Sequence, residues 1–276
     1  MANDQSLREQ FRGNVDSNLI RDILLFFVLP SLILIAIYLY PGSEQALEYE
    51  ARNPTVVGII GSNLAHRNIS HIQSNIIGYW ILGGASLLLM RVSGSAAIYR
   101  YAFVAYILIL PFFASWTILQ IFSDSPDILS RFESVGFSQT VGAVTGFLPI
   151  AIAYYYSELT GDTRCIQVSL GLFVLGFAVA FYSLGEVNNT VILLGVLGVA
   201  GLLYMSYQLV QSPETLAEPG LPFLGGSVVL YLYGLLLLFP PSAPGGIYGH
   251  MAGYVWGYLL PAVGIAVKTG YDELRS

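Results

Sequence analysis

The chain holds only three histidines, His66, His71 and His250, and each stands beside residues whose types suit acyl-transfer chemistry. The first two belong to the run His66-Arg67-Asn68-Ile69-Ser70-His71-Ile72-Gln73-Ser74-Asn75. On a helix His71 and Asn75 lie one turn apart, about 6 Å along the axis, and face the same way; Gly78 continues that face. Two side-chain donors aimed at one point suit a developing oxyanion. They equally suit a polar clamp between membrane helices, and the sequence leaves both readings open. A second cluster is Gly136-Phe137-Ser138-Gln139-Thr140-Val141-Gly142-Ala143-Val144-Thr145-Gly146, in which Ser138, Gly142 and Gly146 recur every four residues. A third, His250-Met251-Ala252-Gly253-Tyr254-Val255-Trp256-Gly257, puts His250, Gly253 and Gly257 on one face. Small faces let membrane helices approach closely, and packing alone accounts for the glycines. If these two faces meet, a serine hydroxyl, weakly nucleophilic by itself, lies beside an imidazole able to take its proton.

The elements that carry these residues are read from hydropathy. The 276 residues are 55% hydrophobic and 10% charged, with a mean hydropathy of +0.67, whereas soluble domains carry about a quarter charged residues. Most of the surface therefore does not face water. Uncharged runs of spanning length, about 20 residues, occur at 23–43, 69–90, 101–123, 134–157, 165–185 and 187–213. The run 219–267 is interrupted at Pro240-Pro241-Ser242-Ala243-Pro244-Gly245-Gly246, which cannot continue a helix and splits it in two. The expectation is an all-α polytopic bundle of about eight transmembrane spans, with tails at 1–22 and 269–276 and a membrane domain at 23–268. No Asp or Glu falls inside any of these runs, which counts against a proton-coupled transporter. Arg100 is expected to snorkel from an inner boundary.

Ten Arg and one Lys set the orientation. With the N-terminus inside, Arg8, Arg12, Arg21, Arg91, Arg100, Arg164, Lys268 and Arg275 lie inside, and Arg52, Arg67 and Arg131 outside. The bias favours both termini in the cytoplasm. Asn75, Ser138 and His250 then fall on even-numbered spans, each near the outer end. Nothing in the spacing forces that agreement. The net charge of −6 and the lack of a basic patch exclude nucleic acid as a partner, and the single Cys165 precludes an intrachain disulfide.

These residues resemble the rhomboid family of intramembrane serine proteases: His66-x4-His71-x3-Asn75 in the second helix, Gly136-x-Ser138 in the fourth, and His250-x2-Gly253-x3-Gly257 in the last. Leu82-Gly83-Gly84-Ala85 also looks like the family. The resemblance implies a six-helix core at the cell membrane, with Ser138 as nucleophile and His250 as general base and acid. His71 and Asn75, with the Ser138 backbone N–H, would form the oxyanion hole, and His66 would support it. No cofactor or metal is implied. The partners would be transmembrane protein substrates and membrane lipid, with the site open to the outer face and the substrate helix entering laterally. Pro240–Gly249 reads either as a mobile cap or as an ordinary outer turn. The sequence departs from the family at Gln139, where Gly is frequent, at Val56–Gly61, which lacks a Trp-Arg pair, and near Leu87, where Glu is frequent. It is also longer: about three helices fit between Ser138 and His250, so 165–211 is read as an inserted helix pair that preserves parity. The alternative to a protease is a non-catalytic rhomboid-like protein that binds or escorts membrane clients.

Overall fold

The structure, a computed structural model, describes residues 17–51, 53–125, 133–134, 136–162, 165–185, 188–211, 220–240 and 247–273. Helices dominate it: α1 (Ser17–Leu39), α2 (Ser43–Leu47), α3 (Val56–Gly61), α4 (Ile69–Val92), α5 (Ala96–Leu108), α6 (Leu110–Ile121), α7 (Ser138–Thr160), α8 (Cys165–Ser183), α9 (Asn189–Gln211), α10 (Leu221–Leu238) and α11 (Ile247–Glu273). Two short strands, β1 (Tyr49–Glu50) and β2 (Glu133–Ser134), pair antiparallel with Tyr49 opposite Ser134. Five described helices are long and apolar enough to cross a membrane, or six when α5 and α6 count as one bent span. The 57° bend between α5 and α6 falls just before Pro111, whose ring excludes the preceding turn from a straight helix. Helix α7 has the length of a span but carries Gly, Thr and Tyr among its aliphatic residues, and it is buried almost throughout. It is the axis of the bundle, with α4, α8, α10 and α11 packed around it. The α8–α9 hairpin is joined to the bundle through α8, which touches α7, α10 and α11.

One expectation is corrected. Helix α1 starts at Ser17, ahead of the apolar run, so Asp22 lies within a candidate span and is 1% exposed. The charge is tolerated because Arg100 grips both carboxylate oxygens at 2.8–3.1 Å and Arg91 approaches at 3.4 Å. Arg100 therefore does not simply snorkel; with Arg91 it ties α1 to α4 and α5.

Two prolines inside helices show how the bundle keeps its backbone paired. Pro30 in α1 has no N–H for the Phe26 carbonyl four residues earlier, and the Tyr79 hydroxyl of α4 donates to that oxygen at 2.5 Å. A π-helical turn at Leu24–Val28 widens α1 at this place. Pro261 in α11 likewise leaves the Gly257 carbonyl without its helical donor, and the Tyr106 hydroxyl of α5 fills the vacancy at 2.5 Å. In an apolar surrounding an unpaired carbonyl costs about 1–3 kcal/mol. Tyr106→Phe is therefore expected to destabilise the protein by that amount. The loss should shrink in the Pro261→Ala background, where residue 261 again supplies an N–H. Thermal unfolding of the two single variants and the double variant measures the coupling, and strict additivity would remove this account of Tyr106.

Candidate active site

The contact that builds the site is backbone on backbone. A Cβ added at Gly142 would stand 2.7 Å from the His250 carbonyl oxygen and 3.1 Å from the Tyr254 nitrogen. One at Gly146 would strike the Tyr254 carbonyl, one at Gly253 the Gln139 carbonyl, and one at Gly257 the Ala143 backbone. Helices α7 and α11 thus touch along a seam of glycines, two from each helix. The seam begins at Ser138 on one side and His250 on the other, and both residues line one cavity of about 500 Å³.

His71 and Asn75 line the same cavity. His71 is the third residue of α4, Ser138 the first of α7 and His250 the fourth of α11. Three helix N-termini, with their positive partial charge and unpaired N–H groups, therefore converge on one end of the cavity. The rest of the wall is apolar, contributed by Ile77 and Ile81 of α4, Val141 of α7, and Leu230, Tyr233 and Leu237 of α10.

His250 has one tautomer open to it. Its Nδ1 lies 2.6 Å from the carbonyl oxygen of Leu238, the last residue of α10. A carbonyl only accepts, so Nδ1 carries the proton and Nε2 keeps its lone pair. Among the described residues no hydrogen bond joins the Ser138 hydroxyl to this ring. The two groups share a cavity without being engaged, as is common in catalytic pairs before substrate binds.

His66 is the hub of the other wall. Nδ1 donates to the Leu64 carbonyl at 3.2 Å; Nε2 accepts from Asn75 Nδ2 at 3.0 Å and from the Phe137 N–H at 3.2 Å. One buried ring thus orients the Asn75 amide and fixes the turn that delivers Ser138. Asn75 retains a second amide hydrogen beyond this bond. Burial, and then the nearby His71 ring, lower the His66 pKa from 6.5 to about 4, against an opposing pull from the Leu64 carbonyl. Gly136 has φ +129°, donates its N–H to the Ser62 carbonyl at 2.6 Å, and lies so close to His71 that a Cβ would overlap the ring.

Gln139 points away from the cavity, toward Gly249, and is 4% exposed with its Oε1 buried and unpaired among the described residues. Of the Pro240–Gly249 connection, 241–246 lie outside the described residues, and α11 opens at Ile247. Val56–Gly61 forms the short helix α3, capped by Thr55 Oγ1, and Leu87 lies in the core. Among the described residues no three His, Cys, Asp or Glu side chains are placed to hold a metal. Sequence reasoning missed the Leu238 and Ser62 carbonyls and the Phe137 N–H. Every residue carries such groups, so no residue type announces them.

Two outcomes test this geometry. Gly146→Leu is expected to cost about 3 kcal/mol or more, because the Tyr254 carbonyl it meets is main chain and cannot rotate aside; an unchanged unfolding midpoint would contradict the seam. His66 stays neutral in the folded protein down to about pH 4 but takes a proton near pH 6.5 when unfolded. Its contribution is therefore complete above pH 6.5, is lost as pH falls toward 4, and changes no further below that. His66→Gln should be less stable at pH 7 yet lose less on acidification across that window, as read by thermal unfolding at stepped pH.

Comparison of the chain with protein-family models, with curated proteins and with solved structures finds no match.

Proposed function

We propose that this chain is a multi-pass intramembrane serine endopeptidase of the rhomboid type, acting on transmembrane protein substrates. The observation that carries the reading is the convergence of Ser138, His250, His71 and Asn75 on one cavity, although they come from three helices far apart in sequence. In the proposed reaction the Ser138 Oγ attacks the scissile carbonyl while its proton passes to His250 Nε2. The new oxyanion receives the remaining Asn75 N–H, the His71 ring and the Ser138 backbone N–H, which as the first of α7 has no acceptor within its helix. Collapse breaks the C–N bond, and the leaving amine takes the proton from His250. Water, deprotonated by His250, then attacks the acyl-enzyme, releasing the new carboxyl terminus and restoring the serine.

The apolar flank of the cavity, between α4 and α10, suits lateral entry of a substrate helix, and the polar end suits entry of water. We read the chain as eight crossings with both termini cytoplasmic, α7 being carried through the membrane inside its neighbours and the α8–α9 hairpin being the inserted pair. A second reading, a non-catalytic protein that binds membrane clients in this cavity, is favoured by the Ser138 hydroxyl, which makes no hydrogen bond to His250.

Cleavage of a generic single-span membrane substrate by the reconstituted protein, beside Ser138→Ala, separates the two. The protease reading expects cut product from the parent and none from Ser138→Ala or His250→Ala. Asn75→Ala is expected to lower kcat about 10²–10³-fold with little change in KM, because oxyanion donors act in the transition state. A folded parent that cuts none of several substrates while still retaining them would favour client binding.

A further inference from the structure

At the end of the bundle opposite the candidate active site, α5, α7 and α11 enclose a second cavity, of about 550 Å³. Its shape follows from small residues. Ala102 and Ala105 of α5 face Pro261 and Gly264 of α11 across it, and a Cβ added at Gly264 would meet nothing within 4 Å, so that glycine looks into open space. The helix directions give the cavity a polarity. Helix α5 starts at this end and α11 finishes there, so Tyr101, Lys268 and Thr269 stand at the mouth while Ala105, Leu260 and Pro261 form the deep end. Lys268 is the only lysine in a chain whose net charge is −6.

We propose that this cavity is a binding site for an anionic phospholipid of the surrounding bilayer, one acyl chain lying in the deep apolar end and the phosphate on Lys268 at the mouth. A lysine at a helix end often does no more than snorkel along a convex helix surface. Here the surface beneath it is concave, and its volume is in the range of built ligand sites. The two features answer the two halves of one ligand. An acyl chain gains by filling space that lipid packed on a ridge would leave void, and a single cation near the headgroup plane favours anionic over zwitterionic lipid by about fivefold.

The test is native mass spectrometry of the protein released from bilayers of equal phosphatidylglycerol and phosphatidylcholine, matched in acyl chains. The parent should retain one phosphatidylglycerol with at least about fivefold preference. Lys268→Gln should keep the bound lipid but bring the preference near parity. A Cβ at 264 meets nothing within 4 Å, and Gly264→Leu replaces glycine by a better helix former, so it should fold, occupy the cavity and lose that one lipid. Equal retention of the two lipids by the parent, or an undiminished preferential lipid in Gly264→Leu, would overturn the proposal. Neither readout depends on proteolysis.

Discussion

The close approach of α7 and α11 is the constraint on which the rest depends. In lipid, apolar side chains gain nothing by leaving their surroundings, so helices associate through packing and hydrogen bonds. Gly142 and Gly146 on one helix and Gly253 and Gly257 on the other allow backbone atoms to touch, and any side chain on this seam would push the axes apart. The penalty for glycine in a helix, about 1 kcal/mol each, is offset by contacts that a bulkier pair cannot make. Once the seam is set, the first turn of α7 and the first turn of α11 have fixed positions. Ser138 and His250 then belong to one cavity without any direct bond between them.

A second pattern recurs around that seam: several buried polar side chains serve backbone groups. Tyr79 and Tyr106 answer carbonyls that Pro30 and Pro261 leave open. The buried Tyr231 and Tyr254 hydroxyls stand 2.7 Å apart and within 2.6 and 2.9 Å of the Leu172 and Phe173 carbonyls of α8, two hydrogens serving three contacts. Gly176 makes room for both hydroxyls. The α8–α9 hairpin is thereby wired into the core through α8, while α9 shows most of its surface outward. His66 belongs to the same class, since it holds the Phe137 N–H and the Leu64 carbonyl while steering Asn75.

Much of this was legible in the sequence, and the limits have physical causes. Hydropathy located the helices because apolar length is what a bilayer demands, and the four-residue spacing of small residues marked the faces that pack. Hydropathy counts eight apolar runs, whereas five described helices, or six with the bent pair, are spans by length and apolarity. Helix α7 lies inside the bundle, and its Thr and Tyr residues face protein. Asp22 fell outside the first span because that span was read from the uncharged run beginning at residue 23; its partners Arg91 and Arg100 stand 69 and 78 residues further along the chain. The bend at Pro111 was missed because a proline near the middle of an apolar run leaves hydropathy unchanged. The four side chains that share the cavity were singled out by type and spacing, and the backbone groups that orient them were not.

The partner of His250 bears on how the proposed dyad works without a carboxylate. Leu238 ends α10, so its carbonyl belongs to the last turn, where the helix dipole leaves roughly half a negative charge on unpaired oxygens. Held 2.6 Å from Nδ1, that oxygen does two things expected of an acidic third residue: it fixes the tautomer and favours the imidazolium that forms as the serine proton arrives. It does so without burying a full charge in lipid. The opposite pole is supplied by α4 and α7, whose N-termini face the site of the oxyanion. In the proposed transition state the oxyanion thus meets the N-termini of α4 and α7, and the Leu238 carbonyl at the end of α10 offsets the positive first turn of α11 on which the His250 imidazolium stands. Those dipoles are in place before substrate arrives, since the glycine seam and the His66 bonds fix α4 and α7 while the Tyr231 and Ser183 hydroxyls tie α10 to α8, and electrostatic preorganisation of this kind requires no charged side chain to be buried.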